Sequence, residues 1–195
     1  MPTWIANFIL LSTVLAAEPL KQGERDRAMS EMHASRKIVI DSIAGLSEKQ
    51  LTWKASSEKW SIAEVVEHLA ITENFLFDFY KQVVAGPADP AAKAELKDED
   101  FLKSIRNRDQ KVKAPDQATP KLTFPNAAAS VAAFKERRDR NIAYVQTTQD
   151  QDLRLKIVPG FKMDAYQVFL LLAAHGQRHC DQIAEVKATS GYPAR

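Results

Sequence analysis

His175 and His179 stand four residues apart near the end of the chain. On a helix that spacing stacks two imidazoles on one face, one turn from each other. At about 100° per residue, Val168, Leu171, Leu172, His175, His179, Gln182 and Val186 fall on one stripe. Both rings therefore point where a core should lie. Polar rings in a core need partners, because an unsatisfied buried polar group is costly. Three arrangements supply them: a hydrogen-bonded core pair, a pair partly exposed to water, or one metal ion shared by two ring nitrogens. Imidazole is a good ligand for Zn, Ni, Cu and Fe. His68 adds a third ring, on the flank of a stripe formed by Ile62, Val65, Val66, Leu69, Leu76 and Tyr80. In an antiparallel bundle it can face the pair. Three His with an open fourth position suit a catalytic or substrate-binding metal rather than a closed structural one. Such a metal lowers the pKa of a bound water toward about 7 and turns a bound thiol into a thiolate. The chemistry would be nucleophilic substitution or hydrolysis at an electrophilic carbon.

Other residues are placed around this trio by helical spacing. Gln182 follows His179 by one turn and can orient a ligand, or serve as a core-edge amide. Glu64 precedes His68 by one turn and can accept an imidazole N–H, although its position also explains it as a helix cap. Glu73 lies in an apolar stripe, with Arg178 as a candidate ion-pair partner across the bundle. Cys180 is about 100° round the helix from His179 and is not counted as a ligand. His33 sits at the edge of its stripe and reads as a boundary residue. Trp53, Trp60 and the Phe75, Phe77 and Phe79 group read as core and pocket wall.

The elements that must carry these residues read as helices. Residues 22–44 place Ala28, Met32, Val39 and Ile43 on one stripe, and Gly45 is a natural stop. Residues 47–54 form a short turn or half-helix. Ser61 and Glu64 make a capping box that opens a helix to about residue 85. Residues 86–125 hold five of the nine prolines and read as a long crossover or insertion, with a short helix near 98–108. Asn126 caps a helix to about residue 149, whose mixed-sign run from Lys135 to Arg140 reads as a solvated face. Residues 153–158 read as an extended linker. Asp164 and Gln167 make a second capping box, opening a helix to about residue 189. Four long helices and one long crossover predict an all-α four-helix bundle.

Composition removes several classes. The 195 residues suit one domain, and 45% hydrophobic with 27% charged residues is ordinary for a globular fold. One cysteine excludes an internal disulfide framework. Neither a G-x-G-x-x-G nor a P-loop pattern occurs. The 27 basic residues are interleaved with 25 acidic ones, which argues against nucleic acid as a partner. No apolar run reaches the roughly 20 residues of a membrane span. Residues 1–17 are apolar and end in small residues, the pattern of a secretory signal peptide, though no Lys or Arg precedes the apolar core. The expectation is an exported (periplasmic or extracellular) domain over 18–195. A cytoplasmic protein is the alternative, with that segment packed on the domain.

Two motifs resemble those of DinB-like proteins. Trp60-Ser61-Ile62-Ala63-Glu64 followed by His68-Leu69 is similar to the family's second-helix pattern. His175, Arg178, His179, Gln182 and Ile183 are similar to its H-x3-H-x2-Q-I pattern on the last helix. The segment from Gly45 to Gln50, with Trp53, looks like the usual lead-in. The resemblance implies an up-up-down-down four-helix bundle, often a homodimer. It implies a divalent metal, typically Zn or Ni, held by three His that map onto His68, His175 and His179. It implies a small-molecule substrate, since relatives include S-transferases using bacillithiol or mycothiol and thiol-using maleylpyruvate isomerases. Those thiols are cytosolic, so export would shift the expectation from thiol transfer to hydrolysis. The competing expectation is a non-catalytic exported bundle that binds a metal or small ligand.

Overall fold

The computed structural model describes residues 17–109 and 111–194. The signal-peptide reading falls almost wholly outside the described residues. Among the described residues there are six α-helices, α1 (Gln22–Ile43), α2 (Glu48–Thr52), α3 (Ile62–Val84), α4 (Asp98–Arg106), α5 (Ala127–Thr147) and α6 (Gln167–Ala188). The four long ones, α1, α3, α5 and α6, form the bundle. No helix among the described residues is long and apolar enough to cross a membrane.

Local chemistry sets the helix ends. Gly45 follows α1 at φ +69°, a left-handed turn that a side chain would strain. The Ser61 hydroxyl accepts from the Glu64 N–H at 3.2 Å, and Glu64 Oε2 accepts from the Ser61 N–H at 2.7 Å. Asn126 Oδ1 accepts from the Ala129 N–H and opens α5. Asp164 Oδ1 accepts from the Gln167 N–H at 2.9 Å, but the Gln167 amide turns away to Leu96 O and Asp98. The second capping box is thus half made. Residues 153–158 are not a plain linker: Leu153–Leu155 form a 3₁₀ turn, and Ile157 bridges Asp164.

Helix directions follow from which ends share a core. Ala28 and Met32 of α1 join Leu76 and Tyr80 of α3, Val145 of α5 and Phe169 of α6 in one buried cluster. Ile43, Ile62, Val65, Val66 and Ile183 form the opposite end, with Val131 against them. So α1 and α6 run one way and α3 and α5 the other. The order is up, down, down, up, which corrects the up-up-down-down expectation. The reason is length. The link from α1 to α3 is short and stays at one end, whereas the crossover spans the bundle and starts α5 where α3 started. On the way, α4 packs against α6.

Midway along the bundle, Arg138 is fully buried. The solvated-face reading of residues 135–140 is wrong at this residue, which continues the buried line Ser130, Phe134, Arg138. From α5, its five donors reach the other three long helices. Two go to Glu73 Oε1 on α3, at 2.9 and 2.6 Å. Others go to Ser35 Oγ and Met32 O on α1, and to Leu172 O on α6. Asn141 donates to Glu73 Oε2 at 2.8 Å. Arg138, not Arg178, is therefore the partner of Glu73. Arg178 lies on the side of α6 that meets the crossover and donates to Ile105 O and Asn107 O.

Removing one member of a buried pair leaves the other charge uncompensated. Arg138→Met should cost about 3–5 kcal/mol in urea unfolding at neutral pH. The Arg138→Met, Glu73→Leu double variant should recover much of that loss. A single variant as stable as the wild type would contradict the role assigned to the pair.

Candidate metal centre

The capped start of α3 and the second half of α6 run antiparallel, and this brings the three histidines together. His68 and His179 are buried, while His175 keeps some solvent contact. The Nε2 atoms of His68 and His179 lie 3.1 and 3.0 Å from Nε2 of His175. The rings meet edge to face, with centroids 4.4 to 4.9 Å apart. Trp60 packs against His68 at 5.0 Å between centroids.

The other ring nitrogens fix the protons. His68 Nδ1 lies 2.6 Å from the Ala118 carbonyl, and His179 Nδ1 lies 2.8 Å from Gln182 Oε1. A carbonyl oxygen only accepts, so each Nδ1 carries the proton and each Nε2 presents a lone pair. Both lone pairs point at the Nε2 of His175. One N–H on His175 could satisfy one of them. The other lone pair would still be left without a hydrogen to accept. A cation among the three nitrogens removes that deficit. Ligand nitrogens on a tetrahedral cation with bonds of about 2.0–2.1 Å are about 3.3 Å apart, close to the separations seen. The donor set fits a divalent metal, and among the described residues no carboxylate or thiol joins the group.

Electrostatics keep the rings neutral, the form that binds metals. Burial is the largest cause at each ring. It lowers His68 below its usual value, opposed by the Ala118 bond. It pushes His175 well down, helped by His179 and His68. It takes His179 to about 3, with His68 adding to the fall.

The remaining candidates sort cleanly. Gln182 sits on His179 as described. Glu64 does not reach His68: its oxygens take Lys54 Nζ at 2.8 Å and the Ser61 N–H, and Ala118 occupies the imidazole N–H instead. Cys180 packs with Val39, Leu69, Ala70 and Phe134, and burial pushes its thiol up to about 11. His33 is exposed. Ala118 was not legible as a site residue, because its contribution is a backbone carbonyl in the crossover.

The sequence model of the DinB superfamily matches residues 31–183. The chain belongs to the DinB superfamily. It is 27% identical over 161 residues to the uncharacterized protein YuaE of Bacillus subtilis (strain 168), covering 82% of this chain and 96% of that one. Among solved structures, YfiT from Bacillus subtilis is similar in fold. It matches with a TM-score of 0.56 at 18% identity, over 90% of this chain and 93% of its own.

The lowered histidine values have a sign. An unfolded His titrates near 6.5, so below that pH the unfolded chain binds more protons than the folded one. In the metal-free DinB-like chain, stability should be fully present above about 6.5 and fall as pH drops toward the folded values. Each ring contributes up to about 1.4 kcal/mol per pH unit. Urea midpoints in chelator between pH 7.5 and 5 check this. His179→Gln should give a shallower slope, and equal slopes would contradict the burial described.

Proposed function

We propose that His68, His175 and His179 hold one divalent cation, Zn or Ni, and that the protein is a metal-dependent hydrolase of a small molecule. The observation that carries this is the convergence of three Nε2 atoms with both outer Nδ1 protons already committed. A cation held by three neutral imidazoles would acidify a coordinated water or thiol. The chain's own residues do the rest. Ala118 and Gln182 orient two ligand rings, and such outer partners raise ligand basicity. Trp60 packs on His68 and shields it. Hydrolysis is favoured over thiol transfer because YfiT, the structural neighbour, is described as a probable metal-dependent hydrolase. The apolar amino-terminal segment supports the same choice, since export would separate the chain from cytosolic thiols.

The test is metal content beside activity. The protein, purified without a polyhistidine tag, should carry about one divalent cation per chain, and His68→Ala and His175→Ala should lose it while remaining folded. Hydrolysis of small carboxylic esters should vanish with chelator and return with Zn or Ni. Metal with no hydrolysis under any condition would favour a non-catalytic binding module. Equal metal in all three proteins would sink the three-histidine site.

A further inference from the structure

The crossover is fastened to α3 immediately beside the metal centre. Glu67, the residue before His68, is buried at 4% exposure. Its Oε1 accepts two backbone N–H bonds from the crossover, from Lys121 at 2.9 Å and from Thr123 at 2.8 Å. Between those donors stands Leu122, at φ +60° and 85% exposed. A leucine in the left-handed region is strained and gains nothing from burial here. Charge-assisted bonds to a buried carboxylate offset such strain. They also bring the two flanking N–H groups onto one carboxylate oxygen. Three residues before this grip lies Ala118, buried, at the end of the 3₁₀ turn Asp116–Ala118. Its carbonyl is the one that accepts from His68 Nδ1. The same crossover is tied to α6 by Arg108, which pairs with both oxygens of Glu185.

We propose that Glu67 is a positioning residue: by gripping Lys121 and Thr123 it holds the Ala118 carbonyl against His68, and so fixes that ring's tautomer and aim at the metal. Glu67 touches neither metal nor substrate. It rests on the three-histidine reading for its bearing on metal affinity, but its effect on the ring is defined without metal.

The experiment compares Glu67→Ala, Glu67→Asp and Glu67→Gln in the full chain. Glu67→Asp keeps the charge and draws the carboxylate back by one methylene, so it tests the grip even where the alanine variant folds poorly. Glu67→Gln keeps an oxygen that can accept both N–H bonds. The first readout is the ¹⁵N spectrum of His68 in the metal-free protein. The wild type and Glu67→Gln should show the Nδ1–H tautomer, and Glu67→Asp and Glu67→Ala a tautomer mixture. The second is Co²⁺ titration followed by visible absorption. Loss of an orienting partner should weaken binding by about 10–100-fold in the alanine variant, with Glu67→Gln close to wild type. A fixed Nδ1–H tautomer in the alanine and aspartate variants would overturn the proposal. A wild type that takes up no Co²⁺ would remove the metal reading, while the tautomer comparison still decides the role of Glu67.

Discussion

Arg138 and Glu73 set the level at which the four long helices meet. A guanidinium with no exposure must direct every donor to an acceptor. Here the acceptors come from α1, α3 and α6, so one side chain of α5 dictates the register of the whole bundle. His68 lies just over one turn from Glu73 along α3, and His175 just under one turn from Leu172 along α6. The two helices run in opposite directions, so both steps lead toward the same end. A slip of one turn in either helix would part the rings by about 5 Å. The ion pair thus does for the histidines what a sheet register does for a strand-borne site: it converts sequence spacing into a shared point in space.

Around that point the protein has committed its protons. Two imidazoles have their Nδ1 hydrogens bonded to carbonyl oxygens, one from a backbone and one from an amide side chain. What remains is a set of nitrogens with more lone pairs than hydrogens to share. Burial adds to this by opposing protonation of the rings. A core pair held only by hydrogen bonds would be arranged otherwise, with a donor opposite each acceptor. The crossover completes the arrangement. It carries the Ala118 carbonyl to α3 and binds α6 through Arg108, so it spans the seam between the two histidine-bearing helices.

Much of this was legible in the sequence because it depends on local rules. Ser61 with Glu64, Asn126 and Gly45 mark helix ends through bonds made within a few residues. His175 and His179 share a face by helical arithmetic, and Gln182 meets His179 for the same reason. Other parts depend on neighbours distant in the chain. Arg138 sits in a run of mixed charges, and only its place on the line from Ser130 through Phe134 marks it as buried. Arg178 looked like a partner for Glu73 because helical spacing says nothing of which cation a helix across the bundle delivers. Helix directions depend on where a proline-rich crossover comes to rest. Ala118 acts through its backbone, so no side-chain pattern could mark it, and Glu67 is read as functional only once Lys121 and Thr123 are seen upon it.

The most direct measurement is anomalous diffraction at the zinc edge from crystals of Zn-loaded protein. A single peak bonded to Nε2 of His68, His175 and His179 at about 2.0–2.1 Å is the expected result, with Ala118 and Gln182 still on the two Nδ1 atoms. Zinc elsewhere on the chain, or a fully loaded crystal with these three nitrogens unligated, would contradict a metal centre built by this bundle.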